Sequence, residues 1–218
     1  MGLTKKNFYK KPDFVLTTSW DDGGKYDLSI ANLLKKYNLP GTFYITLDYI
    51  GKEGYMNWDQ IKELDKQGFE IGSHTVSHPP DLKECYGEAL FVEVQSSKDM
   101  LEAALDHKIE SFCYPRGRMN DRVKDAVMEA GYLNARGTGK PGTQFKESNY
   151  NLPGTIHIFQ REEYGDKSIL EFAKEVIDRL VKEGGYCNIW GHSNEIEKDN
   201  NFNILEEVLK YASEKTQT

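Results

Sequence analysis

Two histidines four residues apart, His74 and His78 in the segment HTVSH, are the first side chains in this 218-residue sequence that suggest chemistry. The i, i+4 spacing predicts both imidazoles on one face of a helical turn. Neutral imidazoles in that arrangement suit zinc, cobalt, nickel or iron. An isolated pair of this kind is more often two loop or core histidines bonded to backbone, because HxxxH recurs by chance. A carboxylate brought to the same place reverses that balance. Asp21-Asp22-Gly23-Gly24 offers two. Such a segment also makes an ordinary turn. Adjacent carboxylates at the mouth of a buried strand nevertheless need a charge to offset their repulsion and desolvation, and a metal ion supplies it. One aspartate can then hold the ion while its neighbour stays free as a base. Two histidines and one aspartate leave a coordination position open for water, which is the pattern of a catalytic site rather than a closed structural one. His192, with Glu195 three residues on, is a candidate proton donor of tuned pKa. A surface histidine is the competing reading there. His107, at a helix C-terminus, and His157, alternating within a strand, read as structural.

Those residues need elements to carry them. Short apolar runs predict strands at Phe14–Ser19, Gly41–Thr46, Phe69–Ser73, Ser111–Tyr114, Tyr132–Ala135, Thr155–Phe159 and Tyr186–Trp190. Between them, helical periodicity and caps predict helices over Asp27–Tyr37, Trp58–Gln67, Glu84–His107, Asp121–Ala130, Ser168–Glu183 and Asn203–Ala212. Asn57 and Asn120 precede two of these as N-caps, and Ser168 with Glu171 forms a capping-box pattern. About seven strand–helix units imply a parallel α/β sheet and, at this length, a closed or nearly closed barrel. An open doubly wound sheet is the competitor, but no glycine-rich nucleotide loop follows the first strand. In a parallel barrel, residues just past the strand C-termini share one face. Asp21 and Asp22, His74 and His78, Pro115 to Arg118, and His192 to Glu195 all fall there. The irregular stretch from Arg136 to Pro153 is long for a barrel connection and reads as a loop over that face.

The composition fits one ordinary globular domain spanning 1–218, with the motifs between about 14 and 193. Hydrophobic residues make up 38%, charged residues 29%, and the formal net charge is −7. The acidic balance and the lack of a basic stripe argue against nucleic acid. No run is long and apolar enough to span a membrane. The polar, lysine-bearing start has no signal-peptide pattern, and Cys85, Cys113 and Cys187 form no CxxC pair. Both features favour a cytoplasmic expectation. Nothing in the pattern names an oligomeric state.

At this point the motifs resemble those of the polysaccharide deacetylase family, the NodB-homology or carbohydrate esterase family 4 enzymes. Ser19-Trp20-Asp21-Asp22-Gly23 is similar to the family's TFDDG motif, and Ser73 to His78 to its SH[ST]xxH motif. Phe112-Cys113-Tyr114-Pro115-Arg116-Gly117 is similar to the third motif, FRPPYG, and Ile189-Trp190-Gly191-His192 to the last. The resemblance implies a distorted (β/α)7 barrel. It further implies Asp21 as general base, Asp22, His74 and His78 as ligands of one divalent ion, and His192 as general acid. Zinc is the first expectation for that ion, with cobalt, nickel and iron as alternatives. Two departures stand out. Cys113 occupies the position of the third motif's arginine, which braces the catalytic aspartate; Arg116, three residues on, is the candidate substitute. The fourth motif's Asp-Trp pair is missing near Tyr132–Gly139, where Asn134 and Arg136 stand, so Glu195 is expected to tune His192 instead.

The reading is therefore a metal-dependent hydrolase that removes an acetyl group from an N-acetylated saccharide. Tyr114, Arg116, Trp190 and Glu195 are the candidate substrate contacts. A metal-dependent amidase acting on a small non-sugar amide, and a non-catalytic carbohydrate-binding protein on a degenerate barrel, are the alternatives.

Overall fold

A computed structural model describes residues 13–139, 141–144 and 149–216. The polar N-terminal dozen, and positions 140 and 145–148 of the expected loop, lie outside the described residues.

Seven strands form one parallel sheet: β1 (Phe14–Trp20), β2 (Thr42–Ile45), β3 (Glu70–Ser73), β4 (Ser111–Cys113), β5 (Asn134–Arg136), β6 (Ile156–His157) and β7 (Gly185–Gly191). Their spatial order is β5-β4-β3-β2-β1-β7-β6. That is the cyclic order of a (β/α) barrel cut between β5 and β6, the distorted (β/α)7 barrel that the motifs imply. Parallel strands need crossovers, and helices supply most of them: α1 (Asp27–Lys36), α2 (Trp58–Lys66), α3 (Gly87–Phe91) with α4 (Ser97–Leu105), α5 (Asp121–Glu129) and α6 (Ile169–Glu183), while α7 (Ser193–Lys198) and α8 (Phe202–Thr216) follow the last strand. The helices cover a core that includes Trp20, Phe43, Ile45, Phe112 and Ile189 of the sheet, all at most 1% exposed. The inward stripe of α6 is Ile169, Ala173, Val176, Ile177 and Leu180, at the 3–4-residue spacing that burial on one helix face requires. The caps form as their chemistry dictates. Asn57 accepts from the Gln60 N–H while Gln60 returns the bond to the Asn57 N–H, Ser168 and Glu171 do the same, and Asn120 accepts from the Val123 N–H.

Three expectations change. The long helix over Glu84–His107 begins at Gly87 and carries a π-helical turn, Val92–Ser96, between α3 and α4. It ends where Asp106 turns left-handed, so His107 lies beyond it and pairs with Asp65 at 2.8 Å. The polar segment after the last strand, outside all six expected helices, is helix α7. The fifth strand runs over Asn134–Arg136 rather than Tyr132–Ala135, which places Arg136 at its C-terminal end. Among the described residues, no helix is long and apolar enough to cross a membrane.

Candidate active site and metal centre

The strand register assembles the site. Trp20 pairs with Gly191, Ile45 with Ser73, and Cys113 with Arg136. Those three pairs end level, and the other neighbouring strands end within two residues of one another, so the next residues meet on one rim. Backbone bonds continue one step past the strands, from the Asp21 N–H to the Gly191 carbonyl at 3.0 Å and from the His74 N–H to the Ile45 carbonyl at 2.9 Å. The chain must then turn sharply, and it does so at unusual dihedrals. Asp22, Thr75 and His78 all have positive φ, at 77°, 71° and 55°. Non-glycine residues hold such conformations at a cost of about 1–3 kcal/mol each, and they cluster where function requires a particular aim.

The His74–His78 segment is thus a loop with two left-handed residues rather than the expected helical turn. The two rings still meet edge to face, with centroids 4.8 Å apart. Asp22 Oδ1 lies 3.5 Å from His74 Nε2 and 3.6 Å from His78 Nε2. That oxygen is buried and accepts no hydrogen bond among the described residues. Three ligand-type atoms therefore face one point, one of them an unpartnered buried carboxylate oxygen, and this set fits a divalent cation. The ring orientation of His74 is fixed from behind, where Nδ1 meets the Cys113 carbonyl at 2.7 Å. Donation of that N–H leaves the Nε2 lone pair pointing at the site. Burial, the largest influence on His74, lowers its pKa and favours the neutral, ligating form. Glu93, in the π-helical turn, accepts from the Val76 N–H at 3.0 Å, the Ser77 N–H at 2.9 Å and the Ser77 hydroxyl, pinning the loop between the two histidines.

Asp21 is 1% exposed. Its brace is neither Cys113 nor Arg116 but Arg136, whose guanidinium forms a buried ion pair with Asp21 Oδ1. The same guanidinium donates to Cys113 Sγ at 3.2 Å and lies 5.3 and 5.0 Å from the rings of Tyr44 and Trp190. Cys113 leaves room beside Asp21, its Sγ standing 3.7 Å from Oδ2, and the arginine reaches in from the next strand. Burial works to raise the Asp21 pKa, yet Arg136, then His74 and His192, carry it down to about 2. Arg116 is exposed, at φ 56° in the turn after β4. The sequence reading missed Arg136, although the strand-end rule finds it once β5 is moved by one residue at its C-terminus.

On the far side, His192 Nε2 lies 4.0 Å from Asp22 Oδ2, and its Nδ1 is 2.8 Å from Glu195 Oε2. Burial opposes the His192 charge, but the Glu195 hydrogen bond, then Asp21 and Asp22, push its pKa up to about 9. Helix α7 makes this pair possible by setting residue 195 one turn beyond residue 192. Two expected sugar platforms sit elsewhere. Tyr114 is fully buried with its hydroxyl donating to the Tyr150 carbonyl, and Trp190 is 4% exposed and stacked on His157. Both are wall rather than open surface.

The polysaccharide deacetylase family matches residues 9–135, more than half of the sequence. The chain belongs to this family. It is 27% identical over 149 residues to the poly-beta-1,6-N-acetyl-D-glucosamine N-deacetylase of Staphylococcus aureus, covering 59% of this chain and 51% of that protein. The Streptococcus pyogenes deacetylase PplD, solved with acetate, superposes with a TM-score of 0.59 at 24% identity, over 63% of this chain and 62% of that one. A carbohydrate esterase family 4 pseudoenzyme from Bacillus anthracis also shares the fold, with a TM-score of 0.59 at 17% identity over 91% of this chain and 62% of its own. The polysaccharide deacetylase chain described here spans about half the length of the curated relatives it matches. Because the fold also serves a pseudoenzyme, the case for activity rests on the residues of the rim.

Proposed function

We propose that this protein is a metal-dependent hydrolase that removes the acetyl group from an N-acetylated saccharide. The observation that carries the reading is the unpartnered Asp22 carboxylate oxygen facing His74 and His78, flanked by Asp21 on one side and His192 on the other. Asp22, His74 and His78 would hold the ion, which when bound supplies Lewis acidity to an acyl carbonyl and acidifies a water. The remaining work falls to the chain. Asp21, ionised and fixed by Arg136, accepts the proton of the attacking water through the carboxylate that its ion pair keeps in place. His192, protonated through its bond to Glu195, delivers a proton from Nε2 to the departing amine. A base held low and an acid held high is the division of labour that amide hydrolysis near neutral pH requires.

The saccharide substrate is supported by the family and by the named activity of the Staphylococcus aureus relative. The decisive assay measures acetate release from N-acetylglucosamine oligomers by metal-reconstituted protein, with a chelated control and a small non-sugar amide in parallel. Chelator-sensitive release from the oligomers alone is expected. Release only from the small amide favours the amidase alternative, and no release from either favours the non-catalytic one.

A further inference from the structure

Behind the proposed acid lies a second group of ligand-type atoms. His157 of β6, His192 and Glu195 offer ligand atoms that all lie within 4.8 Å of one another. Glu195 Oε2 stands between the two rings, 2.8 Å from His192 Nδ1 and 3.8 Å from His157 Nε2. His157 Nε2 is buried and makes no hydrogen bond among the described residues. A buried polar atom left this way costs about 1–3 kcal/mol, so its aim needs an explanation. The aim is firmly held. The His157 ring is stacked on Trp190, with centroids 3.8 Å apart and planes 4° apart. Its backbone N–H donates to the Tyr164 hydroxyl at 2.7 Å, which donates back to the His157 carbonyl at 3.0 Å. Burial, then the neighbouring His192, lower the His157 pKa to about 3, so the ring is neutral and its lone pair free to ligate. The Glu195 side chain is 47% exposed and opens the cluster to solvent.

We propose that His157, His192 and Glu195 form a second divalent-cation site whose occupation inhibits the enzyme. Two imidazole nitrogens and a carboxylate are a zinc-type donor set. In a tetrahedral site with ligand bonds of about 2.1 Å the donors stand about 3.4 Å apart, within the spread seen here. The inhibitory consequence rests on the acid role of His192 proposed above. A cation on His192 Nδ1 replaces the proton shared with Glu195, and that proton leaves to solvent. The ring then cannot become imidazolium, and the N–H that remains on Nε2, facing Asp22, is that of a neutral ring, whose loss would leave an imidazolate, so it does not protonate the departing amine. The first equivalent of metal activates, and excess metal inhibits.

The test strips the purified chain of metal and returns zinc in steps. Bound zinc per chain is read by equilibrium dialysis with elemental analysis, and acetate release from N-acetylglucosamine oligomers is read alongside. The expected result is two ions, the second weaker, with turnover rising on the first and falling on the second. His157→Phe, which keeps a ring against Trp190 and removes the nitrogen, should bind one ion and lose the falling limb. Glu195→Gln should weaken the second ion about 10–100-fold, and guards against a folding defect in the first variant. His74→Ala should lose the tight ion and keep the weak one, so failure of the primary site is read separately. A single ion at saturating zinc in the wild-type chain, or two ions in both His157→Phe and Glu195→Gln, overturns the site. A His157-dependent second ion with undiminished turnover overturns the inhibition and the acid role of His192 with it.

Discussion

Asp21 is held between opposed influences, a buried position that favours its neutral form and an arginine that favours its charge. The balance gives two predictions. Asp21→Asn should keep metal affinity, since Asp22 and the histidines are untouched, and lose about 10²–10⁴ in turnover, measured against bound metal. Arg136→Met removes the ion pair and leaves burial, which raises the Asp21 pKa. As the proposed base, Asp21 works only when ionised, so activity should disappear at a higher pH on the acid side, and stability should drop by about 3–5 kcal/mol because a buried charge is left alone. An acid limb of the pH–rate profile that stays in place in this variant removes Arg136 from its role. For His192 the sign is opposite. The proposed mechanism needs its acid form, and Glu195 raises its pKa. Glu195→Gln should therefore move the alkaline limb to lower pH, and an unmoved limb ends that assignment.

At the scale of elements, the register of β1, β3 and β7 makes separated motifs meet, and the loops after them store the unusual dihedrals. Glu93 anchors the His74–His78 loop through two N–H groups and a hydroxyl. Glu93→Ala should lower metal affinity about 10–100-fold without touching a ligand, as loss of an outer support does; isothermal titration with zinc measures it. Much of this level was legible in the sequence. The strand–helix alternation, the caps at Asn57, Asn120 and Ser168, and the delivery of Asp21, Asp22, His74, His78 and His192 to one rim follow from hydrophobic period and cap chemistry. What escaped has physical reasons. Arg136 reads as a loop residue because a charged side chain argues against a buried strand end, and only its partner Asp21, 115 positions away, makes the burial tolerable. The HTVSH segment has helical spacing but left-handed residues at Thr75 and His78, which tertiary contacts impose against local preference. Tyr114 and Trp190 look like sugar platforms by type, and burial is decided by neighbours that the sequence does not reveal.

For the whole molecule, parallel strands that all end toward one rim make the site a property of the sheet rather than of any one segment. A ligand that binds only the folded arrangement stabilises the fold by mass action, about 2.7 kcal/mol at a hundred times its Kd. For a chain of this length that amounts to a rise of about 5–10 °C in Tm on adding zinc to stripped protein, lost in His74→Ala. The central claim is that one divalent ion is shared by Asp22, His74 and His78. Anomalous diffraction at the zinc edge, from crystals of stripped protein given one equivalent of zinc, tests it most directly. The account predicts a single strong peak about 2.0–2.2 Å from Asp22 Oδ1, His74 Nε2 and His78 Nε2. A peak elsewhere, or one that leaves any of the three outside bonding distance, contradicts it.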